Sequence, residues 1–196
     1  MADATTIEGR AEAALEPLRR SASRDYIGEP VSQLEHALQA ATLAVKAGRA
    51  DEVVLAALFH DIGHLLDTGG EEMAGLGVVD HEHLGGEFLA SLGFSNVVSH
   101  LVASHVNAKR YLCYRKTGYL KQLSEASRQT LDWQGGAMER VEAEAFEADP
   151  WFEVILALRT YDERAKDSDA EMLSVEDLRP TVIRHLHQEL KEGSNV

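Results

Sequence analysis

Apolar residues recur at helical spacing along almost the whole chain, interrupted only by Pro17, Pro30, Pro150 and Pro180. No stretch reads as a strand, so the apolar stripes have to be buried helix against helix, and the expected fold is an all-α bundle. At 196 residues the chain can build one real core and is too short to expect two independent ones, which makes a single domain over 1–196 the reading.

Local signals divide the bundle. Ser32-Gln33-Leu34-Glu35 has the spacing of a capping box, in which each side chain satisfies the other's backbone N–H, and predicts a helix from Ser32 to about Lys46. After turn residues at 48–51, Val53, Val54, Leu55, Leu58, Ile62 and Leu65 predict a deeply buried helix ending near Gly69-Gly70. Further helices are expected over about 82–92, from the N-cap Ser95 onward, and over 124–133 up to Gly135-Gly136. Asp149-Pro150 reads as an N-cap and first helical position of a helix reaching Lys166, and Ser174 starts a last helix to about residue 190. The segments 67–80 and 111–121 are the expected loops.

The net charge of −14 argues against a nucleic-acid partner, because neutralising phosphates needs clustered Lys and Arg. No apolar run is long enough to span a membrane, and the N-terminal residues lack the order of a signal peptide, so a cytoplasmic protein is expected. The single cysteine, Cys113, excludes a cysteine-built zinc site; any metal must rest on carboxylates and the nine histidines.

The anomaly lies in Leu58-Phe59-His60-Asp61-Ile62-Gly63-His64, where a buried helix has no packing reason to carry three polar side chains. A buried carboxylate is costly unless paired or coordinated, which makes Asp61 a candidate metal bridge; the competing reading is a solvated His-Asp pair at a helix end. His36, His81, His105 and Asp162 fall on separate predicted helices with apolar neighbours, and ligands scattered in this way converge in helical di-metal sites. A step of about 100° per residue turns His83 away from His81 and His100 away from His105, whereas His64 lies one turn beyond His60. His185 and His187 read as solvated or structural.

The order His36, His60-Asp61, His81, His105, Asp162 resembles the HD-domain superfamily over roughly residues 26–166. The resemblance implies a helical bundle with a central di-metal site, one ion on His36, His60, Asp61 and Asp162, the other on His81 and His105, with Asp61 bridging. A second layer is more specific: Asp25-Tyr26-Ile27-Gly28-Glu29, Ser32 to His36, Ala108 to Leu112, Trp133 to Gly136 and Leu158 to Asp162 resemble the phosphonate-cleaving branch of the mixed-valence di-iron oxygenases, related to myo-inositol oxygenase.

That likeness implies two Fe ions cycling through a ferrous-ferric state and dioxygen as co-substrate. The implied substrate is a small organophosphonate, 1-hydroxy-2-aminoethylphosphonate or its trimethylammonio counterpart, cleaved to phosphate with glycine or glycine betaine. It also implies that Tyr26 holds an iron position until substrate displaces it. Lys109, four residues after His105, and Arg159, three before Asp162, can face the metals and form a phosphonate-binding set with His64 and Ser127. Asp25 and Glu29 are candidates for the cationic head. The rival is an HD-type phosphohydrolase using the same six ligands, followed by a non-catalytic sensor. A homo-oligomer is compatible with the chain.

Overall fold

The computed structural model describes residues 5–26, 29–67, 71–73 and 75–193. Ile27-Gly28 of the Tyr26 motif and the Gly69-Gly70 pair lie outside them. The described residues form helices without a strand; two isolated bridges, Asp25 with Ser32 and Glu72 with Val78, are the nearest approach to one.

Helix α1 (Ile7–Arg20) starts where Thr6 accepts the Gly9 N–H and packs against the last helix, where Arg19 pairs with Glu176 and Arg179 with Glu12. The capping box expected at Ser32 is formed: its Oγ accepts the Glu35 N–H at 3.1 Å while Glu35 accepts the Ser32 N–H at 2.6 Å, opening α2 (Gln33–Lys46). Ala37, Ala40, Ala41 and Ala44 give α2 a buried small-residue surface, and α3 (Asp51–Phe59), buried almost throughout, lies against it.

The second buried helix does not run to the glycine pair. It stops at Phe59, His60 and Asp61 form the turn, and Ile62–Leu65 tighten into a 3-10 helix. The cause is tertiary, because the 3-10 segment packs on α4 (His81–Ser91) with Gly63 against the His81 backbone, an approach that requires the missing Cβ. Gly85 and Gly86 likewise let α4 lie close on α5 (Asn96–Arg115), the most extensive helix pair among the described residues.

Helix α5 continues through the stretch expected to loop from Tyr111. That ring is buried against Phe146 and Phe152, and its hydroxyl donates to Glu147 at 2.6 Å, so packing holds the helical geometry to Arg115. The rest of the expected loop contains a short helix, α6 (Tyr119–Gln122). Helices α7 (Glu125–Trp133, N-capped by Ser124) and α8 (Arg140–Glu147) follow. Helix α9 (Phe152–Arg164) starts later than Asp149-Pro150 suggested: Asp149 caps a turn by accepting the Trp151 N–H and pairs with His100, and Pro150 stays outside the helix. Helix α10 (Val175–Gly193) closes the chain. One apolar cluster runs from Ala11 to Leu186, with the polar site on its edge between α2, α5 and α9. No helix among the described residues is long and apolar enough to cross a membrane.

Candidate metal centre

Six polar side chains from five segments meet in this edge of the core. His36 comes from α2, His60 and Asp61 from the turn after α3, His81 from the first residue of α4, His105 from α5 and Asp162 from α9. All are buried: His36 is 0% exposed, His60 1% and Asp61, the most open, 9%. The sequence could not show that Asp61 sits where α3 breaks, which frees its side chain to reach both halves of the centre. One oxygen, Oδ2, lies 3.6 Å from His36 Nε2 and 3.3 Å from His60 Nε2; the other, Oδ1, lies 3.4 Å from both His81 Nε2 and His105 Nε2. Asp162 Oδ1 stands 3.4 Å from His36 Nε2.

The ring orientations test whether this donor set fits cations. Nδ1 of His36, His60 and His105 sits 2.8–2.9 Å from the carbonyls of Ala165, Ala57 and Val102, so each Nδ1–H is donated to the backbone and each Nε2 points inward. His36 Nε2 then faces His60 Nε2 at 3.0 Å, and His81 Nε2 faces His105 Nε2 at 3.3 Å. Two ring nitrogens this close need a proton or a metal ion between them, and ligand atoms about 2.1 Å from one ion and at right angles stand about 3.0 Å apart. The residues fit two metal ions, with Asp61 able to give one oxygen to each. The carboxylates are ready to serve. Burial alone would raise the Asp61 pKa, but His60, His105 and His81 outweigh it and hold it well below the usual range. Burial disfavours charge on His60, yet Asp61 and Asp162 raise its pKa to about 9, so a metal ion at its inward Nε2 takes the place of a proton held there.

The other singled-out residues divide. Tyr26 stacks on His36, ring centroids 3.9 Å apart, and its hydroxyl pKa is driven well above 10 by burial and then by Asp61 and Asp162, so it is a neutral phenol. His64 does not continue a helical face from His60, since the helix has broken; it stacks on His81 at 3.8 Å and still lines the cavity. Its Nδ1 accepts the Val78 N–H at 2.9 Å, and burial with the neighbouring His81 keeps the ring uncharged, so Nε2 carries the proton and is a donor. Lys109 and Arg159 are buried, not solvated: 4% and 6% exposed. Lys109 donates to Thr130 Oγ1 at 3.0 Å, and burial and then Arg159 lower its pKa from 10.5 to about 8. Arg159 Nη1 donates to Asp162 at 2.5 Å, and its Nε is shared by Tyr119 and Glu163 at 3.1 Å each.

Ser127 and Glu29 also line this cavity of about 60 Å³, but Glu29 already pairs with Lys166 at 2.6 Å. Asp25 is exposed in its bridge to Ser32 and is not among the lining residues, because the alternation of an extended segment turns it outward where Tyr26 turns in. His83 is exposed and bonded to Asp80; buried His185 accepts the Ser95 N–H at 3.1 Å and is structural. Thr130, Gln134, Tyr119, Glu163 and Lys166 were not singled out by sequence. Spacing could have found Glu163, four after Arg159, and Thr130, three after Ser127; Lys166 lies beyond the end of α9, where periodicity says nothing.

A helical bundle that gathers four histidines and two aspartates around space for two cations defines a metal-binding helical protein. The chain belongs to the HD domain family, which matches over residues 34–145. It is similar, at 40% identity over 84% of each chain, to the glycine-betaine-forming 1-hydroxy-2-(trimethylamino)ethylphosphonate dioxygenase of Leisingera caerulea. It is 38% identical to a hydroxymethylphosphonate dioxygenase of Gimesia maris, over 83% of this chain and 80% of that one. An uncharacterised protein of Acanthamoeba polyphaga mimivirus is 39% identical over 84% of this chain and 76% of its own length.

Proposed function

We propose that this protein is an iron-dependent dioxygenase that cleaves the carbon–phosphorus bond of a 1-hydroxyphosphonate. The observation that carries the reading is the burial of two cations, Lys109 and Arg159, in the cavity that also exposes Asp61, His81, His105 and Asp162. Arg159 is already met by Asp162 and Glu163, but Lys109 donates to neutral oxygens of Thr130 and Ser127; a buried cation is costly without an anion to receive it, and the two relatives that act on phosphonates name the anion. Their near-equal identities leave the substituent on C1 open between them.

In this reading Lys109 Nζ and Arg159 bind phosphonate oxygens. Asp162, Tyr119 and Glu163 engage Nη1 and Nε of Arg159, and its Nη2 edge receives the substrate. His64 gives a further neutral N–H from its protonated Nε2, fixed in that tautomer by Val78. Tyr26, stacked on His36 with its phenol beside Asp61, covers the centre before substrate enters. His36, His60, Asp61 and Asp162 would hold one iron and His81, His105 and Asp61 the other; bound iron supplies the activation of dioxygen. The overall change balances: R–CH(OH)–PO3(2−) and O2 give R–COO(−) and H2PO4(−). The C–P bond breaks, C1 is oxidised to the carboxylate, and one oxygen atom is gained by each product.

The test is parallel measurement of oxygen uptake and phosphate release by iron-loaded protein with hydroxylated phosphonates and with ordinary phosphate esters. Equal consumption of oxygen and release of phosphate from a phosphonate is expected. Phosphate from esters with no oxygen uptake would instead establish a phosphohydrolase on the same ligands.

A further inference from the structure

The cavity also carries a charge arrangement that the phosphonate-binding set does not use. Lys166, just past the end of α9, places Nζ 2.6 Å from Glu29 Oε1 and 3.3 Å from Ser124 Oγ, and stands 5.6 Å from the centre of the Tyr26 ring. Both charged side chains are largely withdrawn from water, 16% and 10% exposed, and both line the cavity with Tyr26 and Gln33. A carboxylate at this position would by itself attract a cationic substituent on C1. Here the protein's own ammonium already meets it, and a second cation brought to Glu29 would be repelled by Lys166 at short range in a poorly screened site. The cavity is small, about 60 Å³, which suits a compact substrate.

We propose that Lys166 is the specificity-determining residue of this cavity: as the built-in counter-ion of Glu29 it closes the head-group end to cations and directs the enzyme to 1-hydroxyphosphonates with a short, uncharged C1 substituent. This rests on the carbon–phosphorus cleavage reading above. The ion pair gives discrimination a sign that packing alone would not. Removing the ammonium leaves an unpaired anion, which favours a cationic head; removing the carboxylate leaves an unpaired cation, which disfavours one further.

The experiment compares wild type, Lys166→Met and Glu29→Gln, iron-loaded and shown by circular dichroism to be folded. The substrates are hydroxymethylphosphonate and 1-hydroxy-2-(trimethylammonio)ethylphosphonate, assayed by coupled oxygen uptake and phosphate release. Wild type is expected to favour hydroxymethylphosphonate in kcat/KM by about tenfold or more, Lys166→Met to move that ratio toward the cationic substrate by about tenfold, and Glu29→Gln to move it the other way. General destabilisation cannot produce opposite signs in the two variants. Calorimetry under argon with the unhydroxylated pair, methylphosphonate and 2-(trimethylammonio)ethylphosphonate, reads the same preference without turnover. A wild type that prefers the cationic member in either assay, or a Lys166→Met variant that weakens both substrates equally, overturns the role of Lys166 while leaving the cleavage reading intact. Absence of coupled turnover with both phosphonates in wild type is the distinct result that sinks the cleavage reading, and the selector role with it.

Discussion

Gly63 runs so close to His81 that a Cβ added at 63 would lie 2.7 Å from the His81 carbonyl carbon, with the oxygen closer still. The contact joins the turn that carries Asp61 to the first residue of α4, and so sets the distance between the Asp61 carboxylate and His81. Gly63→Ala must push these backbones apart. The expected cost is about 1–3 kcal/mol of stability and a loss of about tenfold or more in metal affinity, read by thermal melting and by metal titration. Gly77→Ala offers a contrast: its Cβ would meet the His64 ring at 2.5 Å at a backbone φ of +108°. That variant should disturb substrate affinity through His64 while the six-residue centre still binds metal.

Metal loading should stabilise the fold, because only the folded chain holds the ring nitrogens of His36 with His60 and of His81 with His105 facing each other beside Asp61. At a hundredfold excess over Kd one ion contributes about 2.7 kcal/mol, which for a chain of this size is about 5–10 °C in Tm. Asp61→Asn removes the carboxylate charge placed between the two pairs. Its melting temperature should respond little to added iron or to a chelator; a full metal-dependent rise in the variant would refute the bridging role.

Substrate affinity should fall above pH 8. Lys109 titrates at about 8, below its ordinary 10.5, because its ammonium is desolvated and lies near Arg159. Phosphonate binding needs the charged form, so kcat/KM should show a basic limb near pH 8 that Lys109→Met abolishes along with most of the affinity. The sign for stability is opposite. Between about pH 8 and 10.5 the unfolded chain holds this proton more tightly than the folded one, so the contribution of Lys109 to stability rises with pH across that window. Urea melts of wild type and Lys109→Met over this range check it.

Tyr26→Phe keeps the stack on His36 and deletes only the phenol that faces Asp61. If that hydroxyl restrains the centre before substrate arrives, the variant should consume oxygen without substrate several times faster than wild type, with less phosphate formed per oxygen. An unchanged background rate would reduce Tyr26 to a packing residue.

Much of the fold was written in local pattern. The Ser32 capping box, the Ser95 cap and the apolar periodicity of α2, α5 and α10 each depend on residues within a turn or two of one another, so sequence is enough to read them. The failures share a cause. The end of α3 at Phe59, the extension of α5 to Arg115 and the late start of α9 were set by the α4 backbone at Gly63, the Phe146 and Phe152 rings at Tyr111, and the turn capped by Asp149. In each, a specific contact overruled the helical periodicity, distant in sequence at Gly63 and Tyr111 and local at Asp149.

The site divides in the same way. Sequence by itself determined which residue types could hold metal, since one cysteine and a His-Asp pair in an apolar helix leave little else, and it placed Lys109 and Arg159 within reach. Only the tertiary structure decided that Asp25 faces solvent while Tyr26 faces the centre, that His64 is held as an Nε2–H donor, and that Glu29 is met by Lys166, 137 residues further along the chain. Residue chemistry is carried in the one-dimensional pattern, but which charge neutralises which depends on distances that exist only once α2, α7 and α9 have packed.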